Sequence, residues 1–280
     1  MKIITAVVNN IDFIELQAYT LRKFFKGDYE FIVFNDAKDF PDFTNGGNTS
    51  IRNDIREFCH KENIQCIDIP NDQHLHNLDA AIRCADSMNF ILRYQLENPD
   101  QYLLLDSDMF LIKEFSIDRY AAYDCAIVLQ RRNENTTNYM WNGIYYFNMH
   151  KMRDLELLDW TPDYNCDVGA RMHTWLTKQM KDDYMPFADE IRWTTQTFHT
   201  DRIYFIKHLW SCSWDATERR IPELLPFLET DVRNKNGKYF CEIFDDVFLH
   251  YRAGGNWMNE GMTTHAFLTQ KLKQTIYKMS

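Results

Sequence analysis

The chain has 280 residues, enough for one large α/β domain or two small ones with a substantial buried core. Its formal net charge of -10 argues against nucleic acid or an anionic membrane as partner, because both need concentrated Lys and Arg. Seven cysteines, an odd number with no Cys-x-x-Cys pair, make neither a zinc pattern nor an obvious disulfide framework and read as small buried hydrophobes in a reducing compartment.

In chain order, Ile3–Val8 is a β-rich run, too short in its apolar stretch for a signal peptide. Phe13, Leu16, Leu21, Phe24 and Phe25 then recur at helical spacing over Asp12–Phe25, with Asp12 placed to cap. Phe31–Phe34 is a second buried strand ending in Asn35-Asp36, so the chain opens with a β-α-β unit. Residues 44–50 form a loop, Ile51–Glu62 a helix, Ile64–Ile69 a third strand, Leu78–Leu96 a longer helix and Tyr102–Leu105 a fourth strand. Beyond Asp108 the rhythm changes. Strands are expected at Ala126–Leu129, Gly143–Phe147, Ile203–Ile206 and Val247–His250, and helical stretches at Met152–Asp159 and Val168–Gln179. No run approaches the ~20 apolar residues of a membrane span, so the expectation is a cytoplasmic protein without an integral membrane segment. The alternation implies one α/β domain with a mainly parallel central sheet flanked by helices, plus a smaller mixed region. Residues 1–112 form its nucleotide-binding half and 113–280 the half that completes the pocket.

The segment richest in chemistry is Leu103-Leu104-Leu105-Asp106-Ser107-Asp108. An apolar run ending in two carboxylates reads as a buried strand delivering acids to the sheet edge where open α/β proteins bind ligands. Two carboxylates so close repel unless a cation or a proton lies between them, which points to a divalent metal. The competing reading is a polar turn whose acids bond local backbone. Val8, Asn9, Asn10 and Asp36 fall on the same edge and suit a nucleoside, although such residues are also ordinary turn formers. Arg83, one helical turn beyond Asp79, either reaches a diphosphate or pairs with Asp79. Asn142-Gly143 places an amide and a close-approach glycine before a β-run, and is equally a turn signal. Late in the chain a strand ends in His250, followed by Arg252, Gly254, Gly255, Asn256 and Trp257. A neutral imidazole is a good third ligand beside two carboxylates on Mn²⁺, and the glycine-rich loop with Arg252 suits a pyrophosphate.

The order of these segments resembles the metal-dependent GT-A glycosyltransferases, most of all the retaining group that includes glycogenin and lipooligosaccharide galactosyltransferases. Asp106-Ser107-Asp108 is similar to that group's Asp-x-Asp strand, and Asn142-Gly143 with Phe147-Asn148 to its sugar-binding strand. Asp189-Glu190 stands where the group has an Asp-Gln pair, and His250 to Trp257 resembles its closing His-x-x-Gly-x-x-Lys-Pro-Trp segment. Asn256 stands near the group's phosphate-binding Lys, no Pro precedes Trp257, and Glu190 replaces an amide. The resemblance implies a UDP- or GDP-sugar donor and a glycan, lipid-linked or protein acceptor. It further implies Mn²⁺ or Mg²⁺ on Asp106, Asp108 and His250, with Asp108 and His250 in direct contact and Asp106 reaching the ribose or a metal-bound water. Ser107, Arg83, Arg252, Gly254 and Asn256 then serve the donor nucleotide, Asn142, Gly143 and Asp189 its sugar, and Glu190 a nucleophile or base. Two other classes remain open: a haloacid-dehalogenase-like phosphatase with Asp106 as nucleophile and Asp245-Asp246 as later metal acids, and a nucleotide-sugar-binding protein without turnover.

Overall fold

Strands whose two faces are both apolar need helices on both sides, and the computed structural model shows how this chain supplies them. It describes residues 1–38, 50–74, 78–132, 137–181, 197–210, 241–251 and 262–279. The first half contributes β1 (Lys2–Val7), α1 (Ile11–Phe24), β2 (Phe25–Lys26), β3 (Glu30–Asn35), α2 (Ile51–Lys61), β4 (Gln65–Asp68), α3 (Ala80–Glu97), β5 (Gln101–Leu105) and β6 (Met109–Leu111). Then come β7 (Phe115–Ser116), α4 (Asp118–Ala121), β8 (Cys125–Arg132), β9 (Thr137–Asn148) and α5 (Met172–Gln179). The remainder is β10 (Phe198–His199), β11 (Ile203–Phe205), β12 (His208–Trp210), β13 (Cys241–Phe244), β14 (Phe248–Tyr251) and α6 (Met262–Lys278).

The large sheet has eight strands in the order β10-β11-β8-β9-β5-β1-β3-β4. Its β1–β3, β1–β5, β3–β4 and β8–β11 pairs are parallel, while β9 runs antiparallel to both β5 and β8. Strand β5 lies in the middle and alternates strictly. Leu103 and Leu105 join the core under α1 and α6 with Phe13, Leu16 and Leu272, while Tyr102 and Leu104 join the core under α3 and α5 with Met88, Ile91 and Trp175. Each buried leucine contributes ~1.5–3 kcal/mol, which anchors the strand that carries the acids. A second, wholly antiparallel sheet, β12-β13-β14-β6, stands beside it. The expected α/β architecture, a mainly parallel sheet flanked by helices with a smaller mixed region, is what the chain adopts.

Three local expectations change. Helix α1 is capped by Asn10, whose side chain accepts the Asp12 amide at 3.1 Å, so Asp12 lies in the first turn and is not the cap. The helical stretch expected over Met152–Asp159 shrinks to one 3₁₀ turn at Leu155–Leu157. Asp154 takes φ 54°, a left-handed conformation that interrupts a right-handed helix, and its carboxylate is held by Lys178 and Gln179. Helix α5 starts at Met172 rather than Val168, because Gly169 at φ 88° breaks the run. Among the described cysteines Cys59, Cys125 and Cys241 are buried as expected, whereas Cys66, Cys84 and Cys166 are only half-buried, and no described helix is long and apolar enough to cross a membrane.

Helix α6 is clipped to α1 by Lys273, whose Nζ donates to Asp12 at 2.7 Å and Glu15 at 2.9 Å, while the Tyr277 hydroxyl donates to Glu15 at 2.7 Å. Burial raises the Glu15 carboxyl, but the bonds from Lys273 and Tyr277 outweigh it and leave its pKa lowered. Burial likewise lowers Lys273, and its two carboxylate partners reverse this, pushing it up to about 12. The clip is therefore complete between the ordinary carboxylate and ammonium values. It weakens as pH falls through the depressed Glu15 value or rises through about 12. Lys273→Met is expected to cost at most about 1 kcal/mol, since Asp12 and Glu15 are partly exposed, and to remove the acid-side loosening of α6 in hydrogen exchange.

Candidate functional site

Strand β5 ends at Leu105, and the chain turns at once so that β6 can join the second sheet. The turn is a tight one: the Met109 amide donates to the Asp106 carbonyl at 3.0 Å, and the Asp106 amide donates to the Gly143 carbonyl on β9 at 2.7 Å. Ser107 occupies the bend, its amide donating to the Asp106 carboxylate at 2.7 Å. Strand β14 then runs antiparallel to β6 with His250 opposite Met109, and the Tyr251 amide donates to the Asp108 carbonyl at 2.8 Å. Register alone thus brings His250, 142 positions later in the chain than Asp108, to within 3.1 Å of the Asp108 carboxylate.

Asp106, Asp108 and His250 each offer a ligand atom, and those atoms lie within 4.8 Å of one another. Asp108 is 4% exposed and His250 5%. Burial first, and then the neighbouring Asp108 charge, push the Asp106 carboxyl up to about 7, with His250 and the Ser107 amide pulling the other way. Burial pulls His250 down, but the charges and hydrogen bonds of Asp108 and Glu242 outweigh it, and its pKa is raised well above the ordinary value. These are the electrostatics of two acids and an imidazole gathered with little water, which a divalent cation would relieve.

Behind His250 stands Glu242 of β13, directly opposite it in register. Its carboxylate meets His250 Nδ1 at 2.8 Å and His208 Nε2 at 3.4 Å. Burial raises the Glu242 carboxyl, but the two imidazoles outweigh it and hold its pKa well below the usual range. Aromatic packing fixes the same imidazole laterally: Trp141 meets His250 edge-on at 5.1 Å and stacks on Phe244 at 4.9 Å. Gly143 is what lets Trp141 lie there, since a Cβ at that position would come within 2.2 Å of the indole ring. The space beside the Gly143 backbone, expected to admit a ligand, is taken by the Trp141 ring.

The carboxyl ends of β1 and β3 lie on the same edge as that of β5, as parallel pairing requires. Val8 and buried Asn9 follow β1; Asn10 is buried as the α1 cap, and its Nδ2 finds no partner among the described residues. Asp36 follows β3, and its two oxygens accept from Asn71 at 2.7 Å and Ser87 at 2.5 Å. Burial raises its pKa, and those two bonds offset this only in part. Arg83 lies one turn before Ser87 on α3 and donates to the Leu78 carbonyl at 2.8 Å, while Asp79 caps that helix through the Ala81 amide. Asn142 points to α3, its Nδ2 3.5 Å from Cys84 Sγ. Asp189, Glu190, Arg252, Gly254 and Asn256 lie outside the described residues.

Sequence reasoning missed Glu242, Trp141 and Cys84. A polar residue within the apolar strand Cys241–Phe244 was the available signal for Glu242; its pairing with His250 is a fact of register. The sequence also offers Asp245-Asp246 as metal acids for a phosphatase. Asp245 is instead a structural residue at the β13–β14 turn, accepting from the Tyr120 hydroxyl and the Lys207 amide at 2.7 Å each, and Asp246 pairs with Lys113 at 2.8 Å.

Fold and site together define an α/β protein with an acid-acid-imidazole cluster at the carboxyl edge of its central sheet. No protein-family model matches the chain, and no curated protein matches it. Among solved structures the chain is similar to the galactosyltransferase LgtC in complex with donor and acceptor sugar analogues, at 16% identity and TM-score 0.35 over 66% of this chain and 67% of that one. An active-site mutant of LgtC is similar to the same degree, at 16% identity and TM-score 0.35 over 66% of each chain.

Proposed function

We propose that the protein is a metal-dependent glycosyltransferase that moves a sugar from a UDP- or GDP-linked donor to an acceptor hydroxyl. The observation that carries this reading is the convergence of Asp106, Asp108 and His250 at the edge where β1, β3 and β5 end. Two carboxylates supply hard oxygen donors and the imidazole a borderline nitrogen, a set suited to Mn²⁺ or, less well, Mg²⁺. When bound, such a cation neutralises the charge developing on a leaving diphosphate. The chain's own residues do the rest. On this reading Val8, Asn9, Asn10 and Asp36 would serve the nucleoside, Ser107, Arg252, Gly254 and Asn256 the phosphates, and Arg83 a phosphate or the sugar. Asn142, beside Gly143, and Asp189 would grip donor-sugar hydroxyls, and Glu190 would serve as carboxylate nucleophile or base. With retention of configuration the leaving phosphate itself takes the acceptor proton. The acceptor is a glycan, a lipid-linked sugar or a protein.

The test is incubation with Mn²⁺ and a panel of UDP- and GDP-sugars, following release of the nucleoside diphosphate. Metal-dependent release supports the proposal. Donor bound but never consumed would make the protein a binding module instead, and phosphate release from a monoester without nucleotide-sugar turnover would revive the phosphatase reading that the placement of Asp245 and Asp246 disfavours.

A further inference from the structure

Gln17 is fully buried on α1, on the face that also buries Phe13, Leu16 and Leu21. A Met or Leu would suit that apolar setting, whereas a buried amide costs ~1–3 kcal/mol for each polar atom left unsatisfied. Its Oε1 is such an atom, with no partner among the described residues. Its Nε2 is doubly engaged: it donates to the Asp106 carbonyl at 2.7 Å and to the Met109 carbonyl at 3.1 Å, across 89 and 92 positions of chain. The amide orientation follows, because a flipped Gln17 would press its oxygen against two carbonyl oxygens.

Asp106 and Met109 are the first and last residues of the turn from which both metal-site carboxylates project. Gln17 therefore grips the two ends of that turn, while Gly143 holds the Asp106 amide and Tyr251 the Asp108 carbonyl. We infer that Gln17 is a positioning residue for the metal centre, holding the Asp106–Asp108 turn in the geometry that presents both acids to His250. This rests on the metal-centre reading above. It explains why a buried amide with an unsatisfied oxygen occupies a helix face built for packing: the site gains a fixed turn where the core alone gains nothing.

The near-isosteric variants Gln17→Met and Gln17→Leu remove the grip and keep the volume. Gln95→Met is the control, because Gln95 on α3 is an equally buried amide whose oxygen accepts from the Tyr145 hydroxyl at 3.3 Å rather than engaging the Asp106–Met109 turn. Two measurements are made on the full chain: hydrogen exchange of residues 106–109 without metal, and Mn²⁺ affinity by electron paramagnetic resonance. The expected result is at least about tenfold faster exchange at the Met109 amide and an Mn²⁺ Kd weakened about 10- to 100-fold in the Gln17 variants, with neither change in Gln95→Met. A purely structural Gln17 would lower the melting temperature yet leave turn exchange and Kd within about twofold of the wild type, and that outcome overturns the inference. If the wild-type protein binds no Mn²⁺, the metal reading fails, while the exchange comparison still decides whether Gln17 holds the turn. Should Gln17→Met not fold, Gln17→Leu carries the same comparison.

Discussion

Asp108→Asn is expected to weaken Mn²⁺ binding by more than about a hundredfold, since loss of a partner behind a metal ligand already costs about 10- to 100-fold. Asp108 is 4% exposed, lies 3.1 Å from His250 and is held by the Tyr251 amide through its carbonyl, so the amide variant keeps the turn and removes only the carboxylate charge. His250→Ala should match it. The check is a melting curve with and without Mn²⁺: a ligand at a hundred times its Kd stabilises the wild type by about 2.7 kcal/mol, and Asp108→Asn should forfeit nearly all of that. Nucleotide-sugar turnover should fall with metal affinity. An Asp108→Asn protein that retains metal-stimulated donor hydrolysis at the wild-type level would remove Asp108 from the centre.

Glu242→Ala is expected to have the largest effect on stability, about 3–5 kcal/mol, because it strips a buried carboxylate from between two imidazoles. Glu242 is 7% exposed and meets His250 at 2.8 Å and His208 at 3.4 Å. Glu242→Gln retains one acceptor for His250 Nδ1 and should cost roughly 1–3 kcal/mol. Urea unfolding gives the two values, and Mn²⁺ titration of the folded variants separates a role in holding the ring from a role in holding the fold. A Glu242→Ala protein within about 1 kcal/mol of the wild type would mean that Asp108, Trp141 and Phe244 orient His250 without it.

Much of this was legible in the chain. Apolar runs ending in acids or amides located β1, β3 and β5, and parallel pairing does bring Val8, Asp36 and Asp106 to one edge. Asp106, Asp108 and His250 were readable as a candidate set because two close carboxylates and a later imidazole together make a donor set, although each alone is ordinary in or beside a strand. Where local signals compete, the sequence alone does not decide. Asn10 and Asp12 are both competent caps, and helical spacing over Met152–Asp159 could not register that Asp154 would adopt a left-handed conformation secured by Lys178 and Gln179.

By itself, the sequence determined the periodicities, and with them the strands, the amphipathic helices and the acids that terminate β5, because these depend on residues within a turn or two of one another. Only tertiary structure decided which distant residues meet. The β6–β14 register sets His250 opposite Met109 and the β13–β14 register sets Glu242 opposite His250; helix-on-sheet packing carries Gln17 to the carbonyls of a turn 89 positions away. A one-residue slip in either strand pair would turn those side chains to the other face, and no local pattern encodes that choice.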